Sequence, residues 1–188
     1  MMDLRLFTII SFCVCFLAFL PDLYGESSSE SDLRHDESLV VPGSGSNSIV
    51  IGDAIDFVIQ KKGIGKFKIS KPLTTGELFK DVFHVENKMK IYFSALYYNE
   101  NDGYSLCVYN GKIVAIIGLS DFVKTVDGVS LKWGINNLIF NYGNNDMVKL
   151  QRDSHGLYAY PSLGIAVIDD DLNDSIDLYI IFSPQSGK

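Results

Sequence analysis

Residues 48–54, SIVIGDA, and residues 130–136, SLKWGIN, stand 82 positions apart and decide how the chain is read. Ser48 matches Ser130, Ile49 matches Leu131, Gly52 matches Gly134, and each glycine opens a short run with helical spacing. After Gly52, the side chains of Ala54, Ile55, Val58 and Ile59 share one face, while Asp56, Gln60, Lys61 and Lys62 share the other. Gly63 ends that run, and Asp53 is placed to cap its free amides. After Gly134, Ile135, Leu138, Ile139 and Tyr142 form one face, and Gly143 ends the run.

The segments behind the two predicted helices are also alike. Behind the first come the strand-like segments VFHV, MKIYFSALYY, GYSLCVY and KIVAIIGL, with an Asn110-Gly111 pair between the last two. That pair accepts the positive φ angles of a two-residue hairpin. Behind the second come MVKLQR, GLYAY, LGIAVI and SIDLYIIF, the last two joined by DDDLND, residues 169–174. The expected fold class is α+β, in two repeats: residues 48–127 and 128–184, each a short helix packed on an antiparallel β-meander.

Alternation suggests which sheet face is dry. In KIVAIIGL, Ile113, Ala115, Ile117 and Leu119 share a face, and in SIDLYIIF the apolar set is Ile176, Leu178, Ile180 and Phe182. These faces are expected to meet the helices. The opposite, mixed face is expected to stay open, carpeted by Tyr98, Tyr104, Tyr158 and Tyr160.

The start of the chain differs from the rest. Arg5 precedes an apolar run of about 15 residues, shorter than the ~20 that a membrane helix needs, so residues 1–25 are read as a secretory signal peptide. Secretion or a periplasmic location is the consequence, with membrane attachment only through an uncleaved leader. Residues 26–47 are dominated by Ser, Gly and acids and read as a disordered tether; residues 185–188 form a tail. Past the leader Cys107 is the one cysteine, so no intramolecular disulfide is expected, and in YSLCVY it reads as a buried hydrophobe. The chain is acidic, with a formal charge of -7 and no basic cluster in this reading, which argues against nucleic acid as a partner.

The two helix lead-ins at Gly52 and Gly134, the closing Gly63 and Gly143, and the glycine-apolar strands and hairpins of 103–119 and 164–182 resemble the superfamily of the secreted β-lactamase inhibitory protein and the small outer-membrane assembly lipoproteins. The resemblance spans residues 48–184. It implies protein binding through an exposed sheet and no catalysis.

No linear motif for catalysis is present: there is no nucleophile elbow, no phosphate loop and no histidine pair at metal-ligand spacing. Asp169, Asp171 and Asn173 reproduce the alternating start of a calcium loop. The sixth position is Asp174 instead of Gly and the twelfth is Ile180 instead of Glu, and a solvated hairpin turn explains the same residues. Trp133, just before the second helix, either plugs helix to sheet or stands as an exposed anchor. The expected function is a secreted or periplasmic, non-enzymatic module that holds a protein or peptide partner through Tyr98, Tyr104, Trp133, Tyr158 and Tyr160, with no obligatory cofactor. The alternatives are a hydrolase whose site is assembled from residues distant in sequence, and a calcium-stabilised envelope component.

Overall fold

The computed structural model describes residues 39–185 apart from 47, 73, 85–88, 100, 121–122 and 153–154; the predicted leader, most of the tether and residues 186–188 lie outside the described residues. Strands β1 (Leu39–Val41), β2 (Gly45–Ser46) and β3 (Ile49–Val50) precede helix α1 (Ile55–Lys62) and strand β4 (Phe67–Ser70). A crossover of β5 (Gly76–Glu77), a single π-helical turn (Leu78–Val82) and β6 (Tyr92–Phe93) leads to the meander β7 (Ala95–Asn99), β8 (Tyr104–Tyr109) and β9 (Lys112–Leu119). Then β10 (Lys124–Thr125) and a 3₁₀ turn (Leu131–Trp133) precede helix α2 (Gly134–Tyr142) and a second meander, β11 (Val148–Arg152), β12 (His155–Tyr160), β13 (Ile165–Asp169) and β14 (Leu178–Phe182).

The α+β class is as expected, with antiparallel pairing dominant. One eight-stranded sheet runs β11-β12-β13-β14-β9-β8-β7-β4, so the last strands of the two meanders meet in the middle. A smaller sheet, β10-β1-β2-β3, takes in residues 39–46, which composition assigns to the tether. Val40 is fully buried there, and its carbonyl accepts the Val126 amide at 2.8 Å. Three apolar residues, 39–41, suffice to recruit a Ser- and Gly-rich segment when a neighbouring strand supplies the ladder.

The two opening stretches do not fold alike. Ile49–Val50 is a strand, whereas Leu131–Trp133 is a 3₁₀ turn. Gly134 is itself the first residue of α2, while Gly52 lies three residues ahead of α1. Asp53 is not the cap of α1: the cap position is Ala54 and no side chain caps it. The first amide of α1, that of Ile55, is instead satisfied by the carbonyl of Gly111 at 3.0 Å, so the β8–β9 hairpin closes the helix end. In α2, Ile135 donates to the Asp174 carbonyl at 3.0 Å, from the β13–β14 connection. Helices of eight and nine residues are marginal alone, so these tertiary bonds and the burial of Ile55, Val58, Ile135 and Leu138 hold them in place.

Asn110 and Gly111 both have positive φ and join Tyr109 directly to Lys112, as their pairing in sequence foretells. A bulge between Cys107 and Val108 breaks the alternation of β9: Cys107 faces Ala115 but Val108 faces Ile113. Ile113 and Ile116 therefore both join the core beneath the helices, with Tyr179 and Ile181 of β14. Ile176 joins them, but Ala115, Ile117, Ile180 and Phe182 of the apolar set expected on that side point the other way, where the ring of Phe182 meets Phe79 of the π-helical turn edge to face at 6.1 Å. Leu96, Cys107, Ala115, Ile117, Ile180 and Phe182 of this second face are all buried. The sheet is covered on both sides, and the expected open face is not found.

Candidate functional site

The predicted tyrosine carpet is core. Tyr104 is buried, accepts a hydrogen bond from the Asn99 side-chain amide at 3.0 Å and meets Phe67 edge to face. Tyr158 is buried with the Lys149 ammonium 4.9 Å from its ring centre, and Tyr160 donates from its hydroxyl to the Gly143 carbonyl at 2.9 Å. Tyr98 is half-buried on the opposite face of the sheet. The reason is steric: on the helix side, Tyr158, Val167, Tyr179 and Gly118 form one row across four strands, and the phenol rings reach further from the sheet than a β-branched side chain does.

Trp133 is the predicted site residue that reaches water, 72% exposed. Its 3₁₀ turn is anchored by Leu131, which is fully buried, and this fixes the indole outward. Seven residues on, Phe140 is 86% exposed. Trp133 stands in the turn just ahead of α2, across the positive-φ Gly134, and Phe140 stands on the outer side of the helix, while Ile135 and Leu138 hold the inner face. The helix GINNLIFNY carries no formal charge, and its outer polar groups are asparagines; Asn141 donates to the Asn137 carbonyl at 2.7 Å. Leaving Phe140 in water forgoes about 2 kcal/mol of transfer free energy that a buried position would supply. Phe140 is the residue that sequence reading missed; the apolar positions 135, 138, 139 and 142 already form the inner face, so an apolar side chain at 140 falls off that stripe and could have been noticed.

The acidic loop is built differently from a calcium loop. Asp169 is buried, and its two carboxylate oxygens accept the backbone amides of Asn173 at 3.1 Å and Asp174 at 3.0 Å. Asn173 does not turn its oxygen inward: that oxygen accepts the Ser175 amide, while its side-chain amide donates to Asp171. Asp177 takes the third place instead, and single oxygens of Asp169, Asp171 and Asp177 lie within 4.8 Å of one another. Burial, with the repulsion of Asp171, Asp170 and Asp169 added, raises the Asp177 carboxyl above its ordinary value, although the Asp170 amide bonds to it at 2.7 Å. One converging oxygen from each of the three carboxylates is fewer than the six to eight a calcium ion takes. The turn reading accounts for every bond in the loop.

Two further polar groups were not legible in sequence. Glu77 is buried, and its carboxylate accepts the amides of Phe79 and Lys80 while its own amide donates to Asp81, a reciprocal cap on the π-helical turn. His155 donates from Nε2 to the Phe83 carbonyl at 3.3 Å, joining the crossover to β12. Both roles are positional. No protein-family model, curated protein or solved structure matches this chain.

Proposed function

We propose that the chain is a non-enzymatic protein-binding module, secreted or periplasmic, that engages its partner through an aromatic stripe formed by Trp133, just ahead of α2, and Phe140 on it, in place of the sheet face expected from sequence. The observation that carries the reading is the exposure of two large aromatics, Trp133 just ahead of α2 and Phe140 on it, both mostly in water, in a chain that buries Tyr104, Tyr158 and Tyr160. Aromatic anchors bring large contact area at little rotamer entropy, which suits a partner surface.

The two-repeat architecture is part of the same proposal, in keeping with the resemblance to the inhibitory-protein superfamily. Three pairs of equivalent bonds support it. Ile55 and Ile135 each donate to the connection between the last two strands of their meander; Gly63 and Gly143 donate to Ile59 and Ile139; Leu119 and Phe182 donate to Gly103 and Gly164. The helices then correspond at an offset of 80, Ile55 to Ile135, rather than at the 82 of the two glycines. Calcium binding by the 169–177 loop is the second reading, favoured by the convergence of Asp169, Asp171 and Asp177. A melt that does not shift between calcium and chelator removes it.

Trp133 is the single tryptophan, so its emission reports on the stripe directly. Extract fractions that shift this emission to the blue should yield a protein that co-purifies with the wild type and not with a Trp133→Ala/Phe140→Ala variant of equal circular dichroism. Equal recovery by the two rejects the stripe as the interface.

A further inference from the structure

β4 ends the large sheet, and the stretch of sequence around it, with Lys68 on the strand and the other lysines before and after it, holds the densest positive charge in the chain. Lys61, Lys62, Lys66, Lys68 and Lys71 lie within eleven positions, and residues 57–76 contain no Asp or Glu, against a net charge of -7 overall. Lys61, Lys66, Lys68 and Lys71 are exposed. Among the described residues β4 pairs with β7 and with no other strand, so the outward row of its amides and carbonyls is not used by the ladder.

Its side chains alternate in chemistry as well as in direction. Phe67 and Ile69 stand opposite Asn99 and Tyr97, and Lys68 stands opposite Tyr98 on the other face. Ile69 is 54% exposed at the rim although Tyr97 beside it is buried. Lysines on an edge strand guard it against pairing with its own copies, because like charges would meet across the join. The same charges favour a strand of opposite sign.

We propose that the β4 edge is a strand-addition site for an extended acidic segment of a partner protein. The partner backbone continues the ladder beyond β4, its carboxylates meet Lys66, Lys68 and Lys71, and an apolar side chain covers Ile69. In this mode main-chain bonds supply affinity and alternate side chains supply specificity, which matches an open row flanked by lysines and one exposed isoleucine. The site uses different residues from the Trp133–Phe140 stripe, so either can fail alone.

Fluorescence anisotropy of the full chain with a short labelled peptide alternating glutamate and valine tests it. Saturable binding is expected, with slowed amide exchange at residues 67–70. A peptide alternating glutamate and proline keeps the charge, lacks half the strand amides, and should bind at least about tenfold more weakly. Lys66→Glu/Lys68→Glu should weaken the glutamate-valine peptide by a similar factor and leave the thermal melt unchanged. Absence of binding by the glutamate-valine peptide, or equal binding of the proline peptide, overturns strand addition. Binding to phosphatidylserine vesicles without protection at 67–70 would assign the lysines to a membrane surface, and self-association abolished by the double variant would assign the edge to a second copy; either result also overturns the proposal.

Discussion

The ring of Tyr179 occupies the space that a side chain at Gly118, its cross-strand neighbour, would need, and its hydroxyl lies 2.8 Å from the Ser46 hydroxyl. One residue thereby joins the central strand pair of the large sheet to the small one. Gly118→Ala should push the ring out of place at a cost of about 1–3 kcal/mol, lowering Tm by roughly 3–10 °C. Tyr179→Phe keeps the ring and should cost only about 1 kcal/mol. The Gly118→Ala/Tyr179→Ala double variant should be less destabilised than the sum of its single variants, because the clash is gone. Thermal denaturation of the series checks this, and additivity would show that ring and glycine do not communicate.

Tyr160 anchors the end of α2 through the Gly143 carbonyl. Burial, with nearby Tyr142 adding to it, raises the Tyr160 hydroxyl above the ordinary value of 10.0. The unfolded chain therefore releases this proton at lower pH than the folded one, so stability falls as pH rises above 10. Tyr160→Phe should lose about 1–2 kcal/mol at neutral pH and show a flatter decline in the alkaline range. Parallel alkaline slopes in wild type and variant would contradict the assignment.

Gly134 and Gly143 bracket α2 with positive φ, but only Gly134 is crowded: an added Cβ would meet the Asp174 carbonyl, whereas nothing lies near Gly143. Gly134→Ala combines backbone strain with a clash against main chain and should cost about 3 kcal/mol or more. Gly143→Ala should cost about 1 kcal/mol. Urea titrations rank the two, and the reverse order would refute the packing of α2 onto the acidic loop.

For Asp177 the sign runs opposite to that of an ion-paired carboxylate. Its raised value, caused first by burial and then by neighbouring acids, means that the folded chain holds the proton to higher pH than the unfolded one. Stability attributable to this group therefore rises as pH falls through its folded value towards the ordinary carboxylate range. Asp177→Asn keeps an oxygen for the Asp170 amide and should raise Tm at neutral pH, with the gain vanishing in acid. A lower Tm at neutral pH, under otherwise equal conditions, would show that the charge is needed.

Much of the secondary structure was legible. Helical spacing locates α1 and α2, and the Asn110-Gly111 pair locates its hairpin, because these signals are local. The VFHV segment reads as a strand, yet its first residue ends a π-helical turn whose cap, Glu77, acts through contacts made in the fold. The candidate site was legible only in part. Trp133, read as either a plug between helix and sheet or an exposed anchor, is exposed; Tyr104, Tyr158 and Tyr160 are expected at the surface and are buried.

From composition and periodicity alone come the α+β class, the two helix-then-meander runs and the turn that joins β8 to β9, since each depends on neighbours within a few residues. Which sheet face meets the helices was a tertiary decision. Both faces of β9 and β14 are apolar, so alternation could not rank them, and a single bulge at Cys107 and Val108 moved Ile113 to the helix side. Packing then placed the rings of Tyr104, Tyr158, Tyr160 and Tyr179 in the core under the helices and left Trp133, Phe140 and Lys68 of β4 facing water.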